Sequence, residues 1–111
     1  MEISEEREGP VVIVAPQGRL DSNTSPELEA RLLALLAETQ SGVVIDFSHL
    51  VYVSSAGLRV LLMAAKRVKA GGGALALCAM NDNIREVFKI SGFDRVFNIV
   101  PTRDDALSAL S

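Results

Sequence analysis

Apolar residues in this chain fall into short blocks with two alternating kinds of spacing. Residues 11–15, Val-Val-Ile-Val-Ala, are contiguous and mostly β-branched, which predicts a strand. Pro16 and Gly18 end it. Residues 43–47, Val-Val-Ile-Asp-Phe, are almost continuously apolar, the pattern of a strand covered on both faces. Ala74 to Ala79 repeats that pattern, and Val96 to Val100 predicts a last strand. Residues 2–7 form a weaker segment whose charges suit only a sheet edge.

Between these blocks the spacing changes to that of helices. Ser25-Pro26-Glu27 reads as a helix start, with Ser25 capping, Pro26 in the first turn, and Glu27 and Glu29 near the positive end of the dipole. Leu28, Leu32, Leu35 and Leu36 then form an apolar stripe, which predicts a helix to about Thr39, with Gly42 opening the next connection. A second helix starts after Ser54-Ser55, with Leu58, Leu61, Leu62, Ala65 and Val68 on one face. Lys66, Arg67 and Lys69 suit its end, and Gly71-Gly72-Gly73 stops it. Val60, Met63 and Ala64 are assignable either to a partner-facing surface or to the lower core. Ile84, Val87 and Phe88 mark a third helix closed by Gly92. Thr102 with Asp105 makes a capping box for a last helix carrying Leu107 and Leu110. Two strands followed by alternating helices and strands predict an α/β fold: a mixed, mostly parallel β-sheet with about four α-helices. Strands 43–47 and 74–79 should then be parallel neighbours or near-neighbours in one sheet.

Composition narrows the class of function. The 111 residues are the length of one domain, so the chain 1–111 is read as a single unit. Hydrophobic residues make up 49% and charged residues 23%, the balance of a globular chain. A net charge of -3 argues against an extended nucleic-acid contact, which needs clustered Lys and Arg. No apolar run approaches the roughly 20 residues that span a bilayer, so no membrane partner is expected. Glu2, Glu5, Glu6 and Glu8 do not resemble a signal peptide, and Cys78, the one cysteine, allows no internal disulfide; both fit a cytoplasmic protein. His49 has no metal or triad constellation near it and reads as a loop residue. Cys78 reads as an inert small hydrophobe in a strand. The glycine triplet fits neither a Walker loop nor a dinucleotide fingerprint. A phosphoryl-accepting receiver domain needs a lysine after its last strand, where this chain has Val100-Pro101-Thr102. No cofactor, no metal and no enzymatic activity are expected.

In open α/β sheets, sites gather at the carboxyl ends of strands. After the strand at 43–47, the chain reads Ser48-His49-Leu50-Val51-Tyr52-Val53-Ser54-Ser55-Ala56-Gly57-Leu58, a loop leading two adjacent hydroxyls to a helix start. Small Ala56 and Gly57 leave those hydroxyls open to a large partner. Serines here also serve as plain helix caps. Asp21 and Asp46 either line the same pole or are turn and cap residues.

The runs Val44-Ile45-Asp46-Phe47-Ser48 and Tyr52-Val53-Ser54-Ser55-Ala56-Gly57-Leu58 resemble the signature of STAS domains, named for sulfate transporters and anti-sigma-factor antagonists. Gly18-Arg19-Leu20-Asp21, Ser91-Gly92-Phe93-Asp94-Arg95-Val96-Phe97 and Asp105-Ala106-Leu107 extend the resemblance over nearly the whole chain. It implies the STAS fold and the role of an anti-sigma factor antagonist. Such a protein binds an anti-sigma factor that is a GHKL-type serine kinase, frees the sigma factor, and is switched off by serine phosphorylation. A PP2C-type phosphatase resets it. Well-known members read Asp-Ser-Ser-Gly-Leu at the helix start, the first serine being the phosphoacceptor. Alignment on Gly57-Leu58 puts Ser55 there, with Ser54 in place of the aspartate and as a rival acceptor, and Ala56 in place of the second serine. The expected partner surface is Asp21, Asp46, Ser54, Ser55, Ala56 and Gly57, with Arg59 and Met63 on the exposed face of the second helix, on a monomer or weak dimer. The missing carboxylate leaves a second reading, an unphosphorylated STAS scaffold in a lipid-transport or stress-signalling complex.

Overall fold

The computed structural model describes residues 1–38 and 42–110. The strands are β1 (Ile3–Glu8), β2 (Val11–Pro16), β3 (Gly18–Leu20), β4 (Gly42–Asp46), β5 (Leu50–Val53), β6 (Ala74–Cys78) and β7 (Asn98–Val100); the helices are α1 (Ser25–Leu36), α2 (Ser55–Ala70), α3 (Asp82–Ile90) and α4 (Arg103–Leu110). Five strands form one sheet in the order β1-β2-β4-β6-β7, and β3 with β5 forms a second, two-stranded sheet. In the main sheet, β1 is antiparallel to β2 and every other pair is parallel. The expected neighbours β4 and β6 pair directly, Val44 opposite Ala76 and Ile45 opposite Leu77. The architecture is α/β, with four α-helices among the described residues on a mixed, mostly parallel sheet, as expected.

Burial on both faces explains why β2 is apolar and β4 is apolar up to Asp46. One face, carrying Val12, Val14, Val43, Ile45 and Leu77, packs with Leu28, Leu32 and Leu35 of α1, Leu58, Leu61 and Val68 of α2, and Ile84 and Phe88 of α3. The other face, carrying Val11, Ile13, Val44, Ala76 and Cys78, is covered by α4 through Ala106, with Leu107 and Leu110 against it. β1 lies at the sheet edge as its charges require, with Glu5 paired to Arg31, Arg7 to Glu38 and Glu6 to Arg103.

Several local expectations are corrected. The N-cap of α1 is Thr24; Ser25 lies inside the helix and is buried. The α1 helix ends at Leu36, and Thr39 lies outside the described residues. Gly42 does not open a connection but begins β4, opposite Val11 and Ala74. Residues 50–53, read as loop, form β5 beside the equally unexpected β3. The last strand is only three residues long, because Gly92, at φ 78°, leads into a 3-10 turn at Phe93–Arg95 and Val96 remains exposed. Val60 and Ala64 belong to the core, and Met63 is half-buried against it. The capping residue of α4 is as expected: Thr102 Oγ1 accepts from the Asp105 amide at 3.1 Å.

Candidate functional site

The two serines divide their roles at the start of α2. Ser54 is the N-cap, its backbone extended, and its hydroxyl accepts from the Gly57 amide at 3.3 Å. Its own amide donates to the Leu20 carbonyl at 2.8 Å, which ties the helix start to β3. Ser55, the first helical residue, is exposed. Because Ser54 supplies the cap, the Ser55 hydroxyl is left to face outward. Gly57 is buried against Leu20 for a spatial reason: a Cβ there would sit 2.8 Å from Leu20 Cγ and 3.1 Å from its carbonyl oxygen. Ala56 is half-buried.

Beside Ser55 lies a cavity of about 270 Å³ lined by Ser55, Leu58, Arg59, Leu62, Ser91 and Phe93. Its far wall comes from the α3 end and the turn that follows, elements that the sequence reading did not connect with the serines. Arg59 is exposed at its rim. On the approach to Ser54, Val51 and Tyr52 are exposed, 62% and 41%. The Arg19 guanidinium lies 4.2 Å from the centre of the Tyr52 ring and 3.9 Å from the Asp21 carboxylate. These contacts join the turn before α1 to β5. Asp21 itself shapes that turn by accepting from the Asn23 and Thr24 amides. The Asn23 amide, aided by Thr24 and opposed by burial, holds its carboxyl below the usual value.

Asp46 is not brought to this surface. As the next even position after Val44, it points to the α4 side of the sheet, and it is only 5% exposed. Arg103 Nη2 and Nε donate to its Oδ2 at 2.9 and 3.2 Å, the Ser48 amide donates to Oδ1 at 2.9 Å, and Arg103 also reaches Glu6 at 2.8 Å. Burial pushes the Asp46 carboxyl up, but the Ser48 amide and Arg103 outweigh it, and the net shift is downward. Neighbouring Cys78 is buried, and burial, with Asp46 adding and Arg103 opposing, pushes its thiol up to about 11, consistent with an inert group.

The Asp46 pair carries a testable sign. Its carboxyl titrates lower folded than unfolded, so its stabilisation is complete above the ordinary value of 3.8 and is lost as pH falls through the folded value. Arg103→Gln should cost about 1–2 kcal/mol at neutral pH, below the figure for fully buried pairs because the guanidinium is 34% exposed. Urea unfolding should show the difference between variant and parent shrinking below pH 3.8; a difference that stays constant there would refute the assignment.

The site thus rests on a five-stranded sheet covered by helices on both faces, a two-stranded sheet beside it and a serine pair at the start of α2. The STAS domain profile matches residues 2–106. This chain belongs to the STAS domain family. A relative in Bordetella bronchiseptica, BtrV, named as an anti-sigma factor antagonist, is 40% identical over 99 residues, covering 89% of this STAS chain and 85% of that one. The anti-sigma F factor antagonist of Paenibacillus polymyxa is 29% identical over 112 residues, covering 100% and 93%. The crystal structure of an anti-sigma factor antagonist from Mycobacterium paratuberculosis superposes with a TM-score of 0.91 at 29% identity, covering 98% and 92% of the two chains. Among the described residues, no helix of this STAS domain is long and apolar enough to cross a membrane.

The site's shape gives this STAS domain a sensitive position. Gly57→Ala should destabilise it by about 1–3 kcal/mol, because the added methyl must displace Leu20 and its carbonyl. Denaturant unfolding measures this, and the Ser54–Leu20 amide should lose protection from hydrogen exchange. An unchanged midpoint and unchanged protection would show that the contact between α2 and β3 is slack.

Proposed function

We propose that this chain is an anti-sigma factor antagonist that binds a GHKL-type serine kinase, releases the sigma factor held by it, and is inactivated by phosphorylation of Ser55. Exposure of Ser55 at the start of α2, beside an apolar cavity, carries the proposal; the names of the relatives supply the class of partner. Five of the six residues lining the cavity are uncharged. A phosphate at its edge adds about -1.5 to -2 charges to a surface that the kinase must otherwise desolvate against apolar atoms. A PP2C-type phosphatase removes it and restores binding. The partner surface consists of Ser55, Arg59 and the half-buried Ala56 and Met63, with Asp21 presented from the neighbouring turn. Gly57 and Asp46 contribute from beneath, by fixing the helix start and by holding α4 to the sheet. The proposed setting is the cytoplasm, with the protein acting as a monomer.

Affinity capture from the source cell tests this reading. A GHKL-type kinase should be the chief protein recovered, and recovery should fall when Ser55 is replaced by glutamate. Recovery of transporter ATPase and permease subunits, insensitive to that substitution, would instead support the unphosphorylated scaffold.

A further inference from the structure

Arg59 follows Ser55 by four positions on α2, so the two side chains lie on one face of the helix, with Cβ atoms about 5–6 Å apart. Both are exposed, and both line the same cavity. The remaining lining residues, Leu58, Leu62, Ser91 and Phe93, carry no charge, so Arg59 is the one charged residue at that cavity. Among the described residues Arg59, like Arg67, Arg85 and Arg95, forms no ion pair, so no carboxylate holds its guanidinium, unlike those of Arg7, Arg19, Arg31 and Arg103. A guanidinium with no competing carboxylate thus stands one helical turn from the hydroxyl.

We propose that Arg59 captures the phosphate of phosphorylated Ser55, an inference that rests on Ser55 being the phosphoacceptor. The guanidinium is a planar fork of donors that matches phosphate oxygens, and the i to i+4 spacing brings it there without melting the helix. The charge introduced by phosphorylation is then partly neutralised within the chain, and Arg59 is withdrawn from the surface offered to the kinase. Phosphorylation therefore alters two features of the partner surface at once: it adds an anion and ties up the neighbouring cation.

The test is independent of any kinase. Full-length protein carrying phosphoserine at position 55, incorporated during synthesis, is titrated by phosphorus NMR with Arg59 present and with Arg59→Gln. With Arg59, the second ionisation of the phosphate should lie lower by about half a pH unit at low salt, and the difference should vanish near 1 M salt. Arg59→Lys, which keeps the charge, should retain most of the shift and covers the case in which glutamine disturbs the helix. Backbone N–H groups at the helix start act alike on all three proteins and cancel. Superimposable titrations with arginine, lysine and glutamine would overturn the proposal. That result would leave the phosphoswitch itself standing, because the switch depends on whether a kinase modifies Ser55, which this experiment does not ask.

Discussion

Leu61→Ala is expected to lower the unfolding free energy by about 2–5 kcal/mol. Leu61 is fully buried in the cluster that joins α1, α2 and the sheet, and α2 packs against both α1 and β6. Truncation removes apolar contacts and leaves a cavity that close-packed neighbours on both sides cannot fill. Since a small domain has only about 5–15 kcal/mol in total, such a loss is a large share of its stability. Arg59→Ala, two residues away on the exposed face, should change stability by less than about 0.5 kcal/mol while weakening the partner complex. Urea unfolding of both variants checks the two faces of α2 together. A loss below 1 kcal/mol for Leu61→Ala, or unfolding by Arg59→Ala, would show that the faces are assigned the wrong way round.

Ser55→Glu is expected to weaken binding to the cognate anti-sigma kinase more than about a hundredfold, equivalent to roughly 3 kcal/mol. Ser55→Ala should bind as the parent does and stay active in the presence of ATP, because it removes the acceptor hydroxyl and adds neither charge nor bulk. The structure moves the capping cost to the neighbouring residue. Ser54 makes the side-chain cap, so Ser54→Ala should cost about 1 kcal/mol of stability, and Ser55→Ala much less. Calorimetric titration of the kinase with each variant measures the affinities. Equal affinities for Ser55→Ala and Ser55→Glu would place the partner contact elsewhere.

Much of this fold was legible because its main elements carry strong local signals. The strands β2, β4 and β6 are short apolar runs rich in β-branched or small residues, and α1 and α2 have apolar residues at helical spacing after recognisable starts. The pair β3 and β5 was illegible: Gly18-Arg19-Leu20 is too short to show a period, and Leu50-Val51-Tyr52-Val53, though apolar, buries only its two ends, so neither shows the alternation of a strand, and Gly18 meets Leu50 only across the chain. Val60 and Ala64 were ambiguous because α2 is covered on two sides, which widens its buried stripe beyond the usual single face. Ser25, followed by Pro26 and Glu27, carries the local signal of a cap, whereas the chain turns one residue earlier, at Thr24, where Asp21 organises the backbone.

In the candidate site, the serine pair was visible from its position after a strand and before a helix. Its division into a cap and an exposed hydroxyl required the geometry. The Asp46–Arg103 pair could not be foreseen, since 57 positions separate the partners and each lies in an unremarkable local context. The cavity wall at Ser91 and Phe93 was hidden for the same reason: it depends on how α3 and its following turn fold back on α2.

The central claim is that Ser55 is the switch. Incubation of the full chain with its cognate kinase and ATP, followed by mass-spectrometric site mapping, tests it most directly. The account predicts a single phosphate on Ser55, retained in Ser54→Ala and absent in Ser55→Ala. Phosphate on Ser54, or on neither serine with the kinase bound, would contradict it.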